Sequence, residues 1–202
     1  MAGVTRIAGR AVALDRADVD TDQIIPAEWL KHVGRTGFAD GLFGALRADP
    51  GFPLNLPGAA QAKVLVAGVN FGCGSSREHA VWALQDFGFA AVVSPRFADI
   101  FRGNCVSAGL VPVEADEQTV GQVFAALAAD PDAEVVVDVA TRSLAVPSAG
   151  IDAPFPLPDF ARWRLLEGLD DVALTMRHAD AIASFEAGRP AWLPAVVRAG
   201  VR

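Results

Sequence analysis

The sequence predicts an α/β fold on a mixed sheet, and three observations carry that prediction. Two short runs of apolar and β-branched residues, 62–68 and 90–93, are each followed by a stretch with helical character. A third strand-like run, 110–113, follows the second of those helices. Beyond it, 134–139 and 143–146 flank the turn Ala140-Thr141-Arg142 as the arms of a hairpin would. Alternating strands and helices suggest parallel pairing, whereas a hairpin pairs antiparallel, so one sheet would hold both. The 202 residues suit a single domain, read as a core over about 5–155, a helical C-terminal extension over about 156–193 and a tail over 194–202.

Residues 10–14, "RAVAL", are a short β-compatible run. They lead into "DRADVDTD" (15–22), too acidic and irregular to be a strand. Pro26 suits the first turn of a helix over 27–33 with Gly34 as its stop, and 37–47 is compatible with a second short helix. The Pro- and Gly-rich stretch 48–61 is a loop. After the strand at 62–68, residues 76–87 read as a helix with Ala80, Val81, Ala83, Leu84 and Phe87 on its apolar face and Gly88 at its end. A helix over 97–104 follows the strand at 90–93, and Pro112 argues that the run at 110–113 lies at a sheet edge or strand end. Asp116 caps a helix reaching about 129. Past the hairpin, "PFPLPDF" leads to a helix at about 159–167, and "DDVALTMRHADAIASFEAG" is helical material closed by Gly188.

Composition narrows the function. No run approaches the ~18 uninterrupted apolar residues of a membrane span, and "MAGVTRIAGRAVALD" lacks the layout of a secretory signal, so a cytoplasmic protein is expected. The net charge is −7, and Lys31 and Lys63 are the only lysines. No basic cluster is available to displace counterions from phosphates, so nucleic acid is not an expected partner. Cys73 and Cys105 stand apart, and His32, His79 and His178 are scattered without ligand spacing. A protein-held iron–sulfur cluster usually takes four thiolates and structural zinc four Cys/His ligands, so no metal is expected on this chain.

Between a strand and a helix lies "NFGCGSSREHA" (70–80), which carries more polar groups than a turn needs. Ser75-x-x-Glu78 matches a capping box, with Gly72 and Gly74 supplying tight-turn geometry. The same geometry presents free N–H groups beside the positive end of a helix dipole, where a carboxylate, a phosphate or a serine alkoxide would be held. Arg77 adds a planar fork matched to a carboxylate. No Gly-Lys-Ser/Thr follows the glycines, which disfavours a nucleoside triphosphate, and the run Ser75-Ser76-Arg77 fails the Gly-x-Ser-x-Gly elbow of esterases.

This loop resembles the Gly-Ser-Ser-Arg-Glu-His signature of the swivelling domain of the aconitase family. "DVDTDQIIP" (18–26), "RTGF" (35–38), "SPRFADIFRGN" (94–104) and "HADAIASFEAG" (178–188) are similar, in the same order, to segments of the family's 3-isopropylmalate dehydratase small subunits. The likeness runs from about residue 5 to about residue 193. It implies a swivelling β/β/α domain and a hydro-lyase subunit active only with a large subunit, in a heterodimer or higher assembly. The implied reaction converts 2-isopropylmalate to 3-isopropylmalate by dehydration and rehydration through isopropylmaleate, in leucine biosynthesis. No cofactor would be bound by this chain. A four-iron four-sulfur cluster on the large subunit would act as Lewis acid on the departing hydroxyl. A sister subunit acting on another small diacid (homoaconitate, methylmalate or citraconate) is the neighbouring reading. A non-catalytic anion-binding module is a third, against which the intact run 75–77 argues.

The resemblance also implies roles. Ser75, as alkoxide, would take the proton from the carbon next to a carboxylate, while Ser76 and Arg77 grip substrate carboxylates. Loop N–H groups, the helix dipole and Arg77 would stabilise the alkoxide, each pre-aimed donor being worth ~3 kcal/mol. Arg35 is a candidate for a second carboxylate contact, or else a solvated loop arginine. Leu30 and Val33 would line an isopropyl pocket or be buried in the core. Asp20, Thr21 and Asp22 would position the serine loop, or serve as plain Asx-turn residues. His79, on the first helical turn, is read as a supporting hydrogen-bonder, Cys73 as a small packing residue and Cys105 as buried and inert.

Overall fold

The computed structural model describes residues 1–190, 192 and 193, so the predicted tail, 194–202, lies outside the described residues. The chain divides into two compact units, Met1–Asp170 and Asp171–Arg202. In chain order the first contains β1 (Arg6–Leu14), α1 (Thr21–Ile24), β2 (Val64–Ala67), α2 (Glu78–Phe87), β3 (Ala91–Ser94) and α3 (Asp99–Ala108). It continues with β4 (Val111–Glu114), α4 (Glu117–Ala129), β5 (Glu134–Asp138), β6 (Ser143–Val146), β7 (Ile151–Pro154) and α5 (Asp159–Glu167). The strands form one seven-stranded sheet in the order β4-β3-β2-β1-β5-β6-β7. Pairing is parallel from β1 through β2 and β3 to β4, and antiparallel from β1 through β5 and β6 to β7. The expected mixed α/β sheet is present. Pro112 lies in β4, an edge strand, where a missing N–H leaves no neighbour unpaired.

Burial explains the parallel half. Leu65 and Ala67 of β2 join a core with Ala80, Val81, Ala83 and Leu84 of α2 and Phe101 and Cys105 of α3. Val64 and Val66 join a second core with Val120, Val123 and Leu127 of α4 and Leu165 of α5. A strand covered on both faces is apolar throughout, which is why "VLVA" shows no alternation. Asp116 caps α4 as expected, its carboxylate accepting the Thr119 N–H at 2.7 Å.

Elsewhere the structure departs from expectation. The helices read at 27–33 and 37–47 are replaced by short 3-10 segments at Ala27–Lys31, Ala39–Gly41 and Leu46–Ala48. Gly34, Gly37 and Phe43 have φ of 131°, 93° and 51°, values that a right-handed helix does not contain. β1 extends back to Arg6 because 6–10 pair with β5 across more than 120 residues of sequence. β7 was not expected: "IDAP" has little strand propensity, and its pairing with β6 decides its conformation. The second unit has α6 (Asp171–Met176) and α7 (Ala179–Ala187), the latter ended by Gly188. No helix among the described residues is long and apolar enough to cross a membrane.

Candidate active site

Three loops leave the carboxyl ends of β1, β2 and β3 and cross one another, the place where open α/β sheets carry their ligands. Their backbones are bonded together. Asp18 N–H donates to the Val69 carbonyl (2.9 Å), Gly72 N–H to that of Val19 (2.8 Å) and Thr21 N–H to that of Cys73 (2.9 Å). The third loop joins through Phe71 N–H to the Arg96 carbonyl (3.0 Å) and Ala98 N–H to the Phe71 carbonyl (3.1 Å). Gly72 is obligatory here: its φ is +76°, and a Cβ would lie 2.2 Å from Cγ of Phe101. Gly74, at φ +90°, turns the chain toward Ser75.

The capping box is not formed. α2 begins at Glu78, its N-cap is Arg77, and no side chain caps it. Ser75 stands two residues before that cap, exposed, with its Oγ 3.2 Å from Oγ1 of Thr21. A capping box needs the serine at the cap itself, and the turn closed by Arg77 N–H on the Ser75 carbonyl (2.9 Å) displaces it. Thr21, only 1% exposed, donates its hydroxyl to the Ser75 carbonyl at 3.1 Å. With its single proton on that carbonyl, Thr21 Oγ1 is left to accept from the Ser75 hydroxyl. Asp20 fixes Thr21 by capping α1, accepting the Gln23 N–H at 2.7 Å. Arg77, with its side chain 19% exposed, forms an ion pair with Asp22 through Nη1. Ser76 is exposed beside it.

A second cluster holds the segment around Arg35. The guanidinium of Arg35 lies over the Trp82 ring, 5.8 Å from its centroid. Phe38, fully buried, meets the rings of His32 (5.0 Å), His79 (5.4 Å) and Trp82 (5.9 Å). The Phe38 N–H donates to the Asp86 carboxylate at 2.8 Å. His79 contributes a ring packed on Phe38 and Trp82 to this cluster. Leu30 is 38% exposed and Val33 96% exposed, which removes their alternative reading as core residues. The sequence reading did not single out Trp82, Asp86 or Phe38. The signal for Trp82 and Asp86 was the i, i+3, i+7 spacing of His79, Trp82 and Asp86, which share one stripe of α2.

Burial, and then the carboxylates of Asp20 and Asp18, push the Cys73 thiol up, so it stays protonated at neutral pH. Complete burial pushes Cys105 well above the ordinary thiol range. Among the described residues no three His, Cys, Asp or Glu side chains gather as a metal-binding group.

This fold and loop arrangement define an aconitase-type swivelling domain, and residues 1–118 match the family model described as the aconitase C-terminal domain. Residues 171–199 match the model of the C-terminal domain of 3-isopropylmalate dehydratase small subunits. A 3-isopropylmalate dehydratase small subunit from Frankia alni is 62% identical over 189 residues, covering 94% of this chain and 96% of the relative. Its counterpart from Streptomyces coelicolor is 54% identical over 198 residues, covering 98% of this chain and 100% of the relative. The crystal structure of 3-isopropylmalate dehydratase from Methanocaldococcus jannaschii superposes with a TM-score of 0.68 at 27% identity, covering 89% of this chain and 99% of that one. The chain belongs to the family of 3-isopropylmalate dehydratase small subunits, within the aconitase-type hydro-lyases.

Proposed function

We propose that this chain supplies the base and the carboxylate clamps of a cytoplasmic 3-isopropylmalate dehydratase, working with a large subunit on 2-isopropylmalate in leucine biosynthesis. The observation that carries the reading is the exposed Ser75, clear of the helix cap, with its Oγ 3.2 Å from the hydroxyl of the buried Thr21. As alkoxide, Ser75 takes the proton from the carbon next to a substrate carboxylate and returns it on rehydration.

A serine hydroxyl is far too weak an acid to supply that anion unaided. The proton of Thr21 can turn from the Ser75 carbonyl, 3.1 Å away, to the Ser75 Oγ, 3.2 Å away, with no heavy atom moving. It then donates to the alkoxide. The uncapped N-terminus of α2 adds its dipole, and Arg77 its charge. Arg77, tethered to Asp22 through one nitrogen, keeps the rest of its fork for a substrate carboxylate, with the Ser76 hydroxyl beside it. Arg35 takes the second carboxylate, and the exposed Leu30 and Val33 form this chain's wall of the isopropyl pocket.

The family's four-iron four-sulfur cluster supplies a Lewis acid for the departing hydroxyl. It does not fit this chain: Cys105 is enclosed in the core and Cys73 has no second thiol beside it. In the proposed reading it would be carried by the large subunit.

Hydration of isopropylmaleate by this chain mixed with its large subunit, wild type against Ser75→Ala, tests the proposal. Loss of a general base predicts a fall of roughly 10³-fold. Equal turnover by the alanine variant refutes it. A clear preference for a diacid without the isopropyl group moves the assignment to a sister hydro-lyase.

A further inference from the structure

We propose that Trp82 is the mount that sets the Arg35 guanidinium in place for a substrate carboxylate, which makes it a positioning residue for substrate binding. The inference deepens, and rests on, the reading of Arg35 as the second carboxylate contact.

The two arginines are held in different ways. Arg77 is held by its edge, one nitrogen being engaged by Asp22. Arg35 is placed with its guanidinium carbon over the indole of Trp82, 5.8 Å from the ring centroid. A cation attracted by a ring's π-face is held without spending an N–H on a fixed acceptor, which leaves the donors of its fork for a carboxylate. The backbone around it cannot provide that order. Residues 32–37 are all exposed, and Gly34 and Gly37 both have positive φ. The segment is tied by the His32 N–H to the Trp29 carbonyl (3.1 Å), by His32 Nε2 to the Thr36 carbonyl (2.9 Å) and by the Phe38 N–H to Asp86.

Trp82 is well placed to supply what the loop lacks. It packs against the core and is wedged between His79, 4.7 Å away, and Phe38, 5.9 Å away, which stops the indole from turning. It also lies on the helix whose N-cap is Arg77, five residues along, or about 7.5 Å by the rise of an α-helix. One rigid helix thereby sets the spacing of both carboxylate clamps. Leucine at this position would fill much of the volume but offer no face.

The test is a double-mutant cycle in the complex reconstituted with the large subunit, reading KM and kcat separately for Trp82→Leu, Trp82→Phe, Arg35→Ala and the pairs. Trp82→Leu is expected to raise KM about 3-fold to 5-fold with kcat unchanged, and Trp82→Phe to raise it less. Neither should raise KM further once Arg35 is alanine. A KM rise of the same size with or without Arg35, or a fall in kcat alone, overturns the inference. If Trp82→Leu does not assemble, the Trp82→Phe cycle decides on the same criteria. If Arg35→Ala leaves KM unchanged, the reading of Arg35 itself falls. If Arg35→Ala raises KM while neither Trp82 variant does, only the mounting role falls.

Discussion

Replacing Thr21 by valine isolates the hydroxyl opposite Ser75. Valine has nearly the same shape, and the site is 1% exposed, so the change opens no cavity and removes only the hydrogen-bonding oxygen. The structural cost is small. The Ser75 carbonyl loses the Thr21 hydroxyl but keeps the Arg77 N–H at 2.9 Å, so no buried acceptor is orphaned. About 1 kcal/mol of stability should be lost. The catalytic cost is larger, because the alkoxide loses a donor already 3.2 Å away. Removing one pre-aimed donor lowers turnover by ~10²–10³. Ser75 is exposed, water replaces part of that donation, and a fall of about 10²-fold in kcat is expected with little change in KM. Initial rates of isopropylmaleate hydration by the reconstituted complex, with assembly verified by gel filtration, measure it. Thr21→Ser keeps the oxygen and should stay close to wild type. Full kcat in Thr21→Val, or equal damage in Thr21→Ser, refutes the argument that the hydroxyl proton serves the Ser75 anion.

Arg77→Lys keeps the charge but cannot hold Asp22 and a carboxylate through one planar fork, so KM should rise by about 10-fold or more; unchanged kinetics remove Arg77 from the site. Gly72→Ala puts a methyl into Phe101 at a φ of +76°, and chemical denaturation should show a loss of roughly 2–4 kcal/mol. The Thr119 N–H, and then its hydroxyl, hold the Asp116 carboxyl below the ordinary aspartate range. A depressed folded value means that this stabilisation is present above the unfolded pKa and is lost as pH falls through the folded one. The gap in melting temperature between wild type and Asp116→Ala should therefore be full at neutral pH and close as pH falls below about 4.

Local signals were read well where they were complete. The Asp116 cap and its helix to Ala129, and the helix Asp159–Glu167, are bounded as expected, because end signals such as the Asp116 carboxylate act within one turn. The hairpin of β5 and β6 was legible for the same reason. The stretches 27–33 and 37–47 differ from the helices expected there, since their 3-10 turns depend on burial of Phe38, Leu42 and Phe43 more than on propensity. The capping box failed similarly. Ser-x-x-Glu spacing is a statement about four residues, whereas Ser75 is set outside the cap by the turn that Arg77 N–H closes on its carbonyl, in a stretch that Gly72 N–H to Val19 and Thr21 N–H to Cys73 bond to a loop some fifty residues away.

By itself, the sequence determined the mixed α/β architecture, the glycine-rich turn with its serines and arginine, and a composition poor in thiols and lysines. These follow from periodicity, cap chemistry and residue counts, all local or global properties of a string. Only the tertiary structure decided that the oxygens of Thr21 and Ser75, 54 residues apart, meet at 3.2 Å, and that Arg35 rests on Trp82. Both juxtapositions come from the parallel register of β1 with β2, which aligns Leu14 with Ala67, and from the packing of the 32–38 loop against α2. Contacts of that kind are made when separate segments bury a shared core, and no spacing within either segment encodes them.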